Sequence, residues 1–307
     1  MCQHHPTPRA LNHVPRFDAS PAPLQIGVMM ILPSLLALSC RPAPPTNPAF
    51  DEAAAFALSS FDEEDPVNLS FAIRAIQAQI VQDIDLDGSL LDRSRTPQTM
   101  SEQTAASFPE VPERDPGLCL PVSVAHMSAW PITDHVVVQQ LADQRPIEPA
   151  SKDKYDRIIL AGADCWATRD CELLRTENPL IKDNSVMTLD YTLWKDLRWV
   201  DLGLPDPADV PEGEIAETTG ENWAIVGRSW ISESAQATQG GASIMQSYSV
   251  EVWLPQNNEQ TLRMMALWSE TQFEDGGGPG DDAVAGTTRY GIQGIFDAAD
   301  DWIQDQD

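Results

Sequence analysis

The chain has 307 residues, with 47 Asp and Glu against 19 Lys and Arg, and a net charge of −28. A field that acidic repels nucleic-acid phosphates and anionic head groups, which excludes DNA and RNA as partners. With 42% hydrophobic residues, the chain can bury one sizeable core, with room for a small helical preface.

Leu24 to Ser39, LQIGVMMILPSLLALS, is uncharged and largely apolar. It is shorter than the ~20 residues a spanning helix needs. Pro33 interrupts it and a Pro-rich segment follows, with no basic stop-transfer cluster, so residues 1–39 read as a signal segment. The run ends at Ala37-Leu38-Ser39-Cys40, which resembles the lipobox of bacterial lipoproteins, with Ala37 where the strongest versions carry Leu. The resemblance implies a lipid on Cys40 and a membrane partner through that anchor. Pro42 stands where Asp would signal inner-membrane retention, so the implied location is the cell envelope, as an outer-membrane lipoprotein facing the periplasm or the cell exterior. A plain secretory signal and an uncleaved anchor are the alternatives.

Pro42, Pro44, Pro45 and Pro48 follow closely and favour an extended chain, so 40–66 reads as a Pro-rich acidic tether. From Val67 to Gln82 the apolar residues Leu69, Ala72, Ile73, Ile76, Ile80 and Val81 recur at intervals of three and four, the period of an amphipathic helix. Residues 95–117 lack periodicity and are rich in Pro, Ser and Thr, which makes 67–117 a helix plus a long loop. Between them, Asp83, Asp85 and Asp87 alternate ahead of Gly88 as in a calcium loop, but Ser94 stands at the twelfth position, where a bidentate Glu belongs. Calcium would bind there weakly, and a solvated helix end is the competing reading. No other cofactor is expected.

The globular domain is expected over 118–307. Its predicted elements are a helix over Asp134 to Gln144, strands over Tyr155 to Ala163 and Val186 to Trp194, and a continuation through Trp199, Val200 and Leu202 after a bend. A strand over Trp223 to Ile231 follows. Then Tyr248, Val250, Val252 and Leu254 alternate with polar neighbours, as do Leu262, Met264, Ala266 and Trp268. Three successive strands imply an antiparallel meander. Ile292, Ile295, Phe296, Ala299, Trp302 and Ile303 form one apolar stripe on a helix from about Val284 to Gln304. That stripe is expected to pack on the meander face of Tyr248, Val250 and Val252.

In an oxidising envelope Cys165 and Cys171 are the nearest disulfide pair, although Cys119 could pair with either. Their spacing is longer than zinc sites use. His126 and His135 are the only histidines after the signal segment, and no G-x-S-x-G or H-E-x-x-H string occurs. A Ser-His-Asp set with Asp134 would have to assemble in space, so no catalytic residue is assigned.

Nine tryptophans fall in the domain, eight of them from Trp166 onward, and these eight either pack the core or line an apolar cavity. The order of strand, helix, meander and terminal helix, ending in LRMMALWSETQF, EDGGGPGDD and AGTTRYGIQGIFDAADDWI, resembles the helix-grip fold of START-like, or SRPBCC, proteins. The fold class expected is therefore α+β, a curved antiparallel meander packed against a long C-terminal helix. The resemblance implies a hydrophobic small molecule or lipid as ligand, with Trp230, Tyr248 and Trp268 lining its pocket. The competing functions are an envelope structural or interaction lipoprotein without a ligand and, third, a hydrolase.

Overall fold

The computed structural model describes residues 43–81, 99–151, 153–183, 187–211, 214–220, 222–256, 258–274 and 278–306. Cys40 and the acidic triplet Asp83, Asp85 and Asp87 lie outside them. The elements in chain order are α1 (Phe50–Ser59), α2 (Val67–Val81), α3 (Glu102–Ala105), β1 (Leu120–Ser128), α4 (Ile132–Gln140), β2 (Lys154–Tyr155) and β3 (Ile158–Ala161). Then follow β4 (Leu173–Asp183), β5 (Met187–Asp201), β6 (Trp223–Trp230), β7 (Ala237–Gly240), β8 (Ala242–Pro255), β9 (Thr261–Phe273) and α5 (Asp281–Gln304).

The nine strands form one sheet in the order β1-β9-β8-β6-β5-β4-β2, with β3 on β4 and β7 on β5. Every pairing is antiparallel. The chain is thus α+β, a large curved antiparallel sheet with a long C-terminal helix across one face, as expected. The helix starts after Pro279 and Gly280, with Asp281 and Asp282 in its first turn, where acidic side chains favour the positive end of the helix dipole.

Strand alternation sends even and odd residues of the central strands to opposite faces. We call the face under α5 the inner face. Val122, Met265, Ala285, Ile292 and Phe296 pack together there, with Leu120, Val124 and Leu267 at their edge. Ala299 and Ile303 continue the helix stripe onto Val138 and Ile147. The expected contact of α5 with Tyr248, Val250 and Val252 is therefore corrected, because those residues point to the other, outer face. Their clean alternation marks a face that needs a cover but not which helix supplies it, and the inner side of β8 carries Ser249, Glu251 and Trp253, all buried.

The outer face is covered by the N-terminal helices. Phe50, Ala54, Leu58 and Phe61 from the α1 region and Leu69, Ile73 and Ile76 from α2 pack with Val226, Tyr248, Val250, Val252, Met264 and Trp268 in one cluster. The tether expected over 40–66 therefore ends at Phe50, and the folded core begins there, not at Leu118. The reason is mutual: α1, α2 and the outer face each carry an apolar surface that water would otherwise cover. The loop expected over 95–117 also contributes, through α3 and the buried side chains of Met100, Ala105 and Phe108.

The loop after β5 is pinned by Asp201. Its carboxylate accepts hydrogen bonds from the amides of Gly203, Thr219 and Gly220 and from the hydroxyls of Thr218 and Thr219. Burial alone would raise the Asp201 pKa, but these donors outweigh it and bring it down to about 2.

Candidate functional site

Trp230, Tyr248 and Trp268, expected to line a pocket, do lie side by side. Trp194, Trp230, Tyr248, Trp268 and Pro121 are successive register partners across β5, β6, β8, β9 and β1. Phe108 seats on two of them, its ring centroid 5.9 Å from Trp230 and 5.1 Å from Tyr248. The row is buried in the cluster shared with α1 and α2, so it forms a solid wall of core.

Accessible surface persists on the inner face instead. Leu120, Val124, Leu193, Ser247, Leu267 and Ser269 are only half-buried, while Val200, Val226, Val250, Leu254 and Ala266 on the outer face are sealed. A pocket of about 500 Å³ opens at this level between the ends of β1 and β9 and the start of α5, lined among others by Leu118, Leu120, Ser269, Phe273, Gly278 and Val284. From the Leu120–Ser269 pair the inner face runs past Val122–Leu267 and Val124–Met265 to His126–Arg263, about 20 Å of strand at the usual rise per residue. Gly227, the partner of Glu251, adds no side chain to this floor. Even a Cβ there would lie 2.8 Å from Leu197 Cδ2.

The deeper floor is polar. Lys195 Nζ donates to Glu251 Oε1 at 2.7 Å, with 9% and 6% of their side-chain surfaces accessible. The Ser229 and Ser249 hydroxyls share a hydrogen bond of 2.6 Å. Arg157 donates to Asn178 Oδ1 at 2.9 Å and to the Gln139 carbonyl. Lys182 lies 3.8 Å from Glu148, which follows the turn Arg145–Ile147 that packs on α5. Burial pushes the Lys195 and Arg157 pKa values down and that of Tyr191 up. Burial also pushes Glu148 up, against the pull of Lys182.

Arg263 lies at the inner end. It is 3% exposed, its guanidinium stacks 4.4 Å from the Phe296 ring centroid and 5.8 Å from that of Trp253, and its Nε and Nη1 have no hydrogen-bond partner. Burial lowers its pKa to about 10. A buried guanidinium with unsatisfied donors costs several kcal/mol, on the order of a lost charged hydrogen bond or more.

Both histidines belong to the seam between β1, α4 and α5. Ser128 Oγ donates to Asp300 Oδ1 at 2.8 Å and meets His135 Nε2 at 3.0 Å, while His126 Nε2 lies 2.9 Å from Asp300 Oδ2. Because the Ser128 proton goes to Asp300, His135 Nε2 is the donor to Ser128. The serine thus sits between the acid and the histidine, the reverse of the order nucleophilic catalysis requires. Asp134 is the wrong acid for this set, and the network fastens α5 to β1.

Cys165 and Cys171 are joined in a disulfide, and Cys119 is buried and free. Burial raises the Cys119 pKa to about 12, so it is an unreactive thiol. The disulfide closes a loop against Trp166 and Trp199, where the Arg169 guanidinium lies 5.6 Å from the Trp199 ring and 5.5 Å from the Trp223 ring. Among the described residues, no group of three His, Cys, Asp or Glu is arranged to hold a metal, and no helix is long and apolar enough to cross a membrane.

No family model and no curated protein matches the chain. Among solved structures it is similar to a protein of Thermus thermophilus, TTHA0849, at 12% identity over 61% of this chain and 98% of that one, with a TM-score of 0.36. A START superfamily protein from Mycobacterium smegmatis gives 13% identity, 61% and 99% coverage, and a TM-score of 0.36. The Zhui aromatase/cyclase from a Streptomyces species gives 15%, 61% and 94%, and 0.31. The chemistry of the site rests on the residues described above and not on these likenesses.

The polar floor is hard to see in the sequence because lysines and arginines on alternating strands read as solvent-facing. The available signal is that Lys195 shares its side of the strand alternation with Leu189, Leu193 and Leu197, and Lys182 shares its side with Leu174 and Leu180.

Proposed function

We propose that this is an exported envelope protein, anchored by a lipid on Cys40, that binds a hydrophobic or amphipathic small molecule between the inner face and α5. The observation that carries the binding reading is the contrast between the faces: α1 and α2 cover most of the outer one, while the inner one keeps half-buried apolar side chains, with an open pocket at one end and buried polar groups toward the other. Apolar walls with a few convergent polar groups are the usual make-up of a small-molecule site. The anchor reading rests on the lipobox-like Ala37-Leu38-Ser39-Cys40. Between Cys40 and the start of α1 at Phe50 the chain can reach at most about 35 Å, so a lipidated protein would work close to the membrane surface.

The test is to fill the groove. Leu267→Trp should abolish the fluorescence enhancement of the uncharged probe N-phenyl-1-naphthylamine, while Val250→Leu on the outer face should leave it unchanged. Equal probe binding by both variants and the wild type would refute the inner-face site. The second reading, a structural or interaction lipoprotein without ligand, draws on the solid packing around Trp230 and Tyr248. It predicts no probe binding at all.

A further inference from the structure

The charge distribution of the inner face runs opposite to that of the whole chain. In a protein with 47 acidic and 19 basic residues, the cations Arg157, Lys182, Lys195 and Arg263 all face the interior under α4 and α5, and burial works on three of them to lower their pKa values. Only two have a carboxylate partner, Lys182 with Glu148 and Lys195 with Glu251. Arg157 is satisfied by neutral acceptors, Asn178 Oδ1 and the Gln139 carbonyl. The remaining carboxylate near Arg263 is Asp300, which is already held by His126 and Ser128.

Arg263 is therefore a buried cation whose Nε and Nη1 donors are unused. Phe296 and Trp253 occupy positions against the guanidinium, and stacking of this kind leaves the in-plane N–H groups free for a planar acceptor. Keeping such a group desolvated is unfavourable unless an acceptor completes it. Outward of Arg263 lie the half-buried apolar side chains Leu267 and Leu120, and the mouth mixes Leu118, Phe273 and Val284 with Ser269, Thr271, Gln272 and Asp281. Polar end inside and apolar end outward define the orientation of an occupant.

Resting on the inner-face binding site proposed above, we propose that its ligand is an amphiphile with a carboxylate head, the head against Arg263 and the apolar tail directed toward the mouth. Glu251 does not oppose this arrangement, because Lys195 already neutralises it at 2.7 Å.

Oleate, oleyl alcohol and acetate separate the parts of this proposal when each is used to displace N-phenyl-1-naphthylamine from the full chain in detergent below its micellar concentration. Oleate should displace the probe at about ten-fold lower concentration than the alcohol, the effect of one charge-assisted hydrogen bond, and acetate should not displace it. Arg263→Met should remove the preference of oleate over the alcohol. If Arg263→Met does not fold, the wild-type comparison still decides, because it needs no variant. Equal displacement by oleate and oleyl alcohol overturns the anionic head while the groove stands, and displacement by acetate as effective as by oleate overturns the amphiphile. Failure of the probe to bind at all overturns the groove itself.

Discussion

Arg228 and Asp62, 166 residues apart in sequence, meet on the outer face through two hydrogen bonds of 2.8 Å, one to each carboxylate oxygen. The same guanidinium donates to Asp196 Oδ2 at 2.9 Å and to the Ser107 carbonyl at 2.8 Å, and it lies 4.3 Å from the Phe61 ring centroid. One buried cation on β6 thus joins the end of the α1 segment, the loop after α3 and β5. Arg175 holds the other oxygen of Asp196 at 2.7 Å.

This junction predicts an asymmetry between its two acids and their shared base. Arg228→Met should cost ~2–3 kcal/mol in urea unfolding, because the fully buried Asp196 loses one of its two cations and keeps only Arg175, while the Ser107 carbonyl loses its donor. Asp62 is 67% exposed at its side chain, so Asp62→Ala should cost under about 1 kcal/mol. Equal losses for the two variants would contradict this account of the outer face.

The terminal helix is expected to be part of the core through Ile292, Phe296, Ala299 and Ile303. Phe296→Ala should cost ~3–5 kcal/mol, the range for a buried aromatic. Deleting everything after Thr287 should abolish cooperative unfolding by calorimetry, and a truncated chain that melts as sharply and as high as the full one would show that α5 does not hold the inner face closed.

Burial, helped by the charge of Arg263, lowers the His135 pKa from 6.5 to about 3. The unfolded chain binds this proton at a higher pH than the folded one does. The contribution of the neutral His135 is therefore complete above about pH 6.5 and is lost progressively as pH falls toward 3. His135→Gln should flatten the pH dependence of the unfolding free energy over that window. An unchanged slope between about pH 7 and 4 would exclude His135 as a source of acid sensitivity.

The lipid anchor is tested by cell fractionation with detergent phase partition. Cys40→Ser should move the protein from the detergent phase to the aqueous phase. Identical partition of variant and wild type would contradict lipidation at Cys40.

The sequence is most legible where one face of a strand is apolar and the other is not. The alternation of Tyr248 to Leu254 and of Leu262 to Trp268 marks β8 and β9, and the stripe from Ile292 to Ile303 marks α5. The strand β4 is obscured because its inward positions include Thr176 and Asn178, both fully buried, and it contains Pro179. The helix α1 hides behind four prolines, whose influence stops short of FDEAAAFALS. The site is the least legible part. Its defining residues, Lys195, Glu251 and Arg263, are charged groups placed inside by strand register, and register depends on pairings distant in sequence.

The central claim, a ligand held between the inner face and α5, is tested most directly by native mass spectrometry of the full chain purified from its own membranes, compared with the same sample under denaturing conditions. A lipid on Cys40 is covalent and appears in both spectra, so it cancels in the comparison. The account predicts an extra mass in the native spectrum alone, lost when Leu267→Trp fills the groove. Native and denatured masses that agree for the wild type would contradict it.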